Sequence, residues 1–377
     1  MITIVSDDKI PFLKGVLEPY ANVVYLPGNK IDNNVLQKAD ALIIRTRTRC
    51  NEALLNKTSV KFIATATIGY DHIDTQYCNS RGITWTNAPG CNSSSVMQYI
   101  ASAMLRIAAG NKFVLKDKTL GIIGVGNVGS KVEKLAETLG MKLLLNDPPR
   151  ARREGKSHFT DFDTVLSEAD IITFHVPLNM TGDDKTWHLV NEQTMKKIKK
   201  GGWLINSSRG EVVDNNALKT FLSAGIISGA VLDVWENEPA IDFQLMEKLF
   251  LATPHIAGYS TDGKANGTSM AVNALSEYFD LPLKNWHAGN VPLPSEPVFS
   301  IDGKGKSDED VIWEAVMHTY DISSDDNKLR NSPSDFEKLR GSYPIRREFP
   351  SFSVNLKNCS GNSKNILAKL GFNVEQL

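Results

Sequence analysis

Short apolar runs recur along the N-terminal part of the chain: Ile2–Val5, Val23–Leu26, Ala41–Ile44, Phe62–Thr65 and Ile83–Thr86. Each is strand-length, and helix-length polar stretches separate them. Strands that are apolar on both sides, alternating with helices, predict a parallel sheet covered on both faces. A helix is predicted over 92–109, where Asn92 and the serines at 93–95 supply capping oxygens before a run rich in Ala, Met, Leu and Ile. A second series follows, with strands at 119–123, 142–145, 171–175, 203–206 and 230–234 and helices near 128–139 and 215–222. One more helix is predicted at about 262–279. Pro282, Pro292, Pro294 and Pro297 then interrupt the pattern and predict a linker. Beyond it, helices near 308–320, 335–339 and 363–370 and a strand near 352–356 predict a small α+β appendage. The fold class is therefore α/β, with two doubly wound parallel-sheet domains and a small C-terminal α+β domain.

Charge changes the picture by exclusion. The 42 Lys and Arg residues nearly balance 43 Asp and Glu, for a net charge of −1. No global field draws the chain to nucleic acid or a membrane surface, so an anion-binding site must be local. The N-terminal segment Met1–Asp8 lacks the basic and apolar regions of a signal peptide, and no apolar run reaches the length of a membrane span. Cys50, Cys78, Cys91 and Cys359 are scattered, which fits free thiols in a reducing cytoplasm and no metal site.

Five strand ends carry the candidate chemistry. Thr119–Gly129 reads as a strand entering Gly124-x-Gly126-x-x-Gly129 and then a helix. The first glycine permits a tight turn, the second lets backbone approach a pyrophosphate, and the third allows close helix packing. Asp147 stands 18 residues past Gly129, at the end of the next strand. A carboxylate there either accepts from adenosine ribose hydroxyls, favouring NAD over NADP, or caps a turn before Pro148 and Pro149. Arg150, Arg152 and Arg153 lie close enough in sequence to soften that discrimination. The segments 206–210, 233–239 and 253–259 then supply one guanidinium, one carboxylate and one imidazole: Arg209, Glu238 and His255. Arginine can fork onto a substrate carboxylate, histidine can take a hydroxyl proton, and a carboxylate behind the ring fixes its tautomer.

These segments resemble the signature regions of the D-isomer-specific 2-hydroxyacid dehydrogenases. The resemblance implies that Arg209 binds substrate, His255 is the acid/base and Glu238 its partner. It is closer still to one branch, through 64–74, Asp147-Pro148-Pro149-Arg150, 233–236, 255–259 and, beyond the linker, 336–340 and 346–349. That branch oxidises 4-phospho-D-erythronate on the route to pyridoxal 5′-phosphate and dimerises through an extra C-terminal domain. It implies substrate contacts at Thr46, Thr67 and Tyr259. Implied cofactor contacts are Gly126, Asn127, Val128, Asp147, Val176, Asp233 and Gly258, beside Gly124 and Gly129. Val176 departs from the branch's usual threonine and loses a hydroxyl. The implied domains are a substrate lid over 1–91 with about 258–285, an NAD-binding domain over 92–257, a linker over 286–297 and a dimerisation domain over 298–377. Arg45, Arg47 and Arg49 alternate after a strand and would share one side if the chain stayed extended, a cluster suited to a phosphate dianion. For Arg47 and Arg49 an exposed basic loop is the alternative; Arg346 or Arg347 are further candidates. Glycerate or phosphoglycerate oxidation, or cofactor sensing without turnover, are the competing functions.

Overall fold

The computed structural model describes residues 1–376. Contacts divide the chain into two compact units, each made of two separate stretches.

The first unit comprises Met1–Asn92 and Tyr259–Pro292. Its five strands are β1 (Ile2–Asp7), β2 (Ala21–Leu26), β3 (Ala41–Ile44), β4 (Phe62–Thr65) and β5 (Thr84–Thr86), all parallel in the order β2-β1-β3-β4-β5. Both faces are apolar because alternate residues point opposite ways. Leu42, Ile44 and Ile63 pack with Leu36, Leu54, Leu55 and Cys78. Ile4, Ile43 and Phe62 pack with Leu13, Leu17 and with Ala271, Val272 and Leu275 of the Thr261–Phe279 helix. The strand order reverses between β1 and β3, so their carboxyl ends open a crevice.

The second unit comprises Ser93–Gly258 and residues from Leu293 onward. Strands β6 (Thr119–Ile123), β7 (Lys142–Asn146), β8 (Ile171–Phe174), β9 (Trp203–Asn206), β10 (Gly229–Leu232) and β11 (Leu251–Ala252) lie parallel in the order β11-β10-β9-β8-β6-β7. The reversal falls between β6 and β8, next to the glycine-rich turn. A separate three-stranded sheet, β12 (Val298–Asp302), β13 (Ser353–Lys357) and β14 (Asn373–Gln376), is also parallel throughout.

The helix Ile322–Asn331, absent from the apolar pattern, covers the edge strand β11. The Ala252 N–H donates to Asp326 Oδ1 at 2.7 Å. Arg330 pairs with Asp326 and donates to the carbonyls of Met246 and Leu249, each at 2.9 Å. Leu329 and Phe336 are buried in the same core as Leu245, Met246 and Trp235. Among the described residues no helix is long and apolar enough to cross a membrane.

Candidate active site

At the turn after β6 each glycine meets a different constraint. Gly124 has φ +87°, and a Cβ there would lie 2.6 Å from the His175 carbonyl oxygen. A Cβ at Gly129 would lie 2.0 Å from the Gly124 carbonyl oxygen. Gly126 has nothing within 4 Å of its would-be Cβ, so the space over that backbone is open. The Gly129–Thr138 helix begins at Val128 without a side-chain cap; Ser130 and Lys131 donate to the Gly126 and Val128 carbonyls, and the positive end of the helix dipole faces the open space over Gly126. Asn127 is exposed there. These residues fit the diphosphate of a dinucleotide.

Asp147 caps the next helix and also holds the glycine-rich turn. Its Oδ1 accepts the Arg150 N–H, capping the helix Pro148–Glu154, and its Oδ2 accepts the Val125 N–H, each at 2.9 Å. A carboxylate has further lone pairs for ribose hydroxyls. The nearby arginines are engaged elsewhere. Arg150 pairs with Glu154 and donates to the Val125 carbonyl at 2.6 Å, Arg153 pairs with Glu154, and Arg152 pairs with Asp184. Val176 lies across the turn, its Cγ1 2.8 Å from the would-be Cβ of Gly124. Beside it, burial pushes the His175 imidazole down to about 3.

The loops after β9, β10 and β11 converge. A Cβ at Gly210 would sit 2.0 Å from the Trp235 carbonyl carbon, so only glycine lets the Arg209 loop press against the Trp235–Glu238 loop. Asn206 donates to the Arg209 carbonyl at 2.8 Å and anchors that loop. Trp235 is buried; its indole N–H donates to the Thr253 carbonyl at 3.0 Å, and its backbone N–H donates to Glu238 Oε1 at 2.9 Å. The other oxygen, Oε2, lies 2.7 Å from His255 Nδ1. Burial pushes the Glu238 carboxyl up, but the hydrogen bond and charge of His255, with the Trp235 N–H and the Arg340 charge, outweigh it; the net shift is downward.

Asp233, expected at the cofactor, is buried and holds the His255 loop. Its carboxylate accepts the Thr253 hydroxyl and the N–H groups of Ile256 and Ala257 at 2.7–2.8 Å, and its carbonyl accepts the His255 N–H at 2.7 Å. Burial raises its pKa despite the His255 charge and these hydrogen bonds. Gly258 ends this stretch.

The expected substrate contacts lie in the first unit. Arg45 Nε is 3.4 Å from Asp7 Oδ2, Thr46 is exposed, the Thr67 hydroxyl donates to the Gly69 carbonyl at 3.0 Å, and Tyr259 lies under Lys264. The chain does not stay extended after Arg45: the Thr48 N–H folds back to the Arg45 carbonyl at 3.3 Å, so Arg45, Arg47 and Arg49 do not form one row. Arg346 is not a surface cation either. It is 4% exposed, stacks on Tyr320, and donates to Gln98 Oε1 at 3.0 Å and to the Ser95 carbonyl at 2.6 Å.

A second histidine–carboxylate pair escaped the sequence pattern. His188 Nε2 lies 2.6 Å from Glu236 Oε1, and the ring stacks on Trp187. It joins loops distant in sequence, and no local signal announces it.

Comparison with known proteins places this geometry. Residues 104–257 match the family model "D-isomer specific 2-hydroxyacid dehydrogenase, NAD binding domain", and residues 292–371 match a domain of unknown function. The chain is 48% identical over 352 residues to erythronate-4-phosphate dehydrogenase of Bacteroides thetaiotaomicron, covering 93% of this chain and 98% of that one. It is 41% identical to the Salmonella arizonae enzyme of the same name, covering 98% of both. Among solved structures, D-lactate dehydrogenase from Aquifex aeolicus complexed with NAD and lactic acid is similar at TM-score 0.62 and 28% identity, covering 75% of this chain and 97% of that one. NAD+-bound 3-phosphoglycerate dehydrogenase of Entamoeba histolytica is similar at TM-score 0.63 and 26% identity, with the same coverage. The protein is an NAD-dependent oxidoreductase. By sequence over nearly its whole length, the chain belongs to the erythronate-4-phosphate dehydrogenase family of D-isomer specific 2-hydroxyacid dehydrogenases.

Proposed function

We propose that the chain oxidises 4-phospho-D-erythronate at C2 to the 2-oxo acid, a step toward pyridoxal 5′-phosphate, as a cytoplasmic homodimer. The observation that carries the chemistry is the 2.7 Å contact between His255 Nδ1 and Glu238 Oε2. It ties up one ring nitrogen and leaves Nε2 to take the C2 hydroxyl proton. As that proton arrives, the adjacent carboxylate stabilises the imidazolium. Arg209 holds the substrate carboxylate and polarises the C2 oxygen. NAD, when bound, accepts the hydride from C2. Gly124, Gly126, Asn127, Val128 and Gly129 would hold its diphosphate, Asp147 its ribose, and Val176, Asp233 and Gly258 further parts of the dinucleotide. Arg45, Thr46, Thr67 and Tyr259 of the first unit contact the substrate. The identity of the relatives over nearly the full chain, C-terminal region included, supports this substrate.

The test is a panel of 2-hydroxy acids followed by NADH absorbance, with single-turnover fluorescence in case the cofactor stays bound. 4-Phosphoerythronate should exceed erythronate, glycerate and 3-phosphoglycerate by two or more orders of magnitude in kcat/KM, as expected for the loss of several charge-assisted phosphate contacts. A higher value for any of the others overturns the substrate assignment.

A further inference from the structure

In the first unit the carboxyl ends of β1, β3 and β4 and the start of the Thr261–Phe279 helix bring together charges that the sequence scatters. β3 and β4 are in register at Ile44 and Thr65, and the Ala66 N–H donates to the Ile44 carbonyl at 2.9 Å. Arg45 and the Ala66–Thr67 segment therefore leave the sheet side by side. The helix comes against that segment closely, since a Cβ at Gly267 would lie 2.6 Å from the Ala66 carbonyl oxygen. Lys264 stands one turn before Gly267, on the same face of the helix. Its ammonium lies 5.2 Å from the centre of the Tyr259 ring.

No carboxylate pairs with Lys264 among the described residues. The charge that bears on it is the Arg45 guanidinium, which together with burial, the larger cause, lowers its pKa. The carboxylate within reach of Arg45 is Asp7, which is 1% exposed and whose other oxygen accepts the Lys9 N–H at 2.8 Å. Arg45 thus pairs with a buried carboxylate at the point where the strand order reverses, where open α/β sheets bind ligands, while Lys264, whose charge bears on Arg45, pairs with none among the described residues. A half-buried ammonium beside a guanidinium is destabilised until an anion joins them. A phosphate monoester, close to a dianion at neutral pH, supplies that charge, and a lysine meets it as a compact point charge.

We propose that Lys264 is a specificity-determining residue whose ammonium, together with the Arg45 guanidinium, holds the phosphate of the substrate. This rests on the substrate being a phosphorylated 2-hydroxy acid. The Tyr259 ring then serves as the wall that fixes the lysine stem.

The experiment compares kcat/KM for 4-phosphoerythronate and for erythronate in wild type, Lys264→Met and Lys264→Arg, with NADH binding by fluorescence as the control for folding. Lys264→Met should lose on the order of ten- to a hundredfold on the phosphorylated acid, the worth of one charge-assisted contact, and less than about threefold on erythronate. Lys264→Arg should recover most of the loss, and inorganic phosphate should inhibit wild type about tenfold more strongly than Lys264→Met. Should Lys264→Met fail to bind NADH, Lys264→Gln takes its place in the same comparisons. A neutral variant that loses the same factor on both acids, or nothing on either, overturns the role of Lys264 while the wild-type preference for the phosphorylated acid stands. A wild type without that preference overturns the substrate assignment, and this proposal with it.

Discussion

His255 sits at φ +56°, a left-handed conformation that a residue with a side chain rarely adopts. The Asp233 carboxylate makes it tolerable by taking the next two backbone N–H groups. Strain at such a position costs on the order of 1–3 kcal/mol and persists only where the surroundings over-determine it. Glu238 then fixes the ring. His255→Ala should leave NADH affinity near wild type and cut turnover by roughly 10²–10⁴-fold, the usual contribution of general acid–base catalysis. Comparable losses of cofactor affinity and turnover would assign the histidine to the fold instead. Glu238 also carries a pH signature. Its pKa in the folded protein lies below the ordinary 4.5, so its ionised form stabilises the fold fully above that value. The contribution disappears as pH falls through the lowered pKa. Urea midpoints of wild type and Glu238→Gln should therefore converge as pH drops from 6 toward 3, and a constant gap would show that the carboxylate is not favoured by folding.

At the scale of elements, the turn from β6 into its helix separates folding from binding. Gly129→Ala forces a Cβ into the Gly124 carbonyl, and overpacking of that kind typically costs about 1–3 kcal/mol or more. Gly126→Ala meets nothing in the protein, so its melting temperature should match wild type while NADH binding falls at least tenfold by fluorescence titration. If Gly126→Ala binds NADH normally, the diphosphate lies elsewhere. The central strands of both large sheets were legible because they are buried on both faces and read as apolar runs, whereas the two-residue edge strand β11 was not. Ala41–Ile44, Phe62–Thr65, Thr119–Ile123 and Trp203–Asn206 have the same bounds in sequence and structure. The helix Ile322–Asn331 was not legible, for Ile322 and Leu329 are its only large apolar residues and it buries Asp325 and Asp326 instead. Pro148–Glu154 did carry its signals, an aspartate cap and proline in the first turn, but it buries no residue and shows no periodicity. The strand-end positions of Arg209, Glu238 and His255 could be read from the chain. What draws their loops together could not: a glycine at 210 reveals a Trp235 backbone against it only in three dimensions. Alternation likewise could not foresee the turn after Arg45.

For the molecule as a whole, residues from Leu293 onward complete a unit whose sheet was laid down much earlier in the chain. An exposed sheet edge invites pairing with other chains, and the Ile322–Asn331 helix closes that edge at β11. Arg346 reaches further, to the Ser95 and Ile256 carbonyls beside the His255 loop, at 2.6 and 3.3 Å. A chain ending at Val291 should therefore aggregate instead of yielding a smaller active dehydrogenase, because β11, Trp235 and their neighbours lose the cover of Leu329 and Phe336. Size-exclusion chromatography and a thermal melt decide; a stable, active product would show that the added region is dispensable.

The same closure sets an order of events during synthesis. With translation at about 5–20 residues per second, roughly four seconds or more separate the emergence of Gly258 from that of Asn331, the end of the helix that covers β11. Throughout that interval the strand that leads to His255 has no lid on its edge, so its unpaired backbone groups face solvent until the later helix is made.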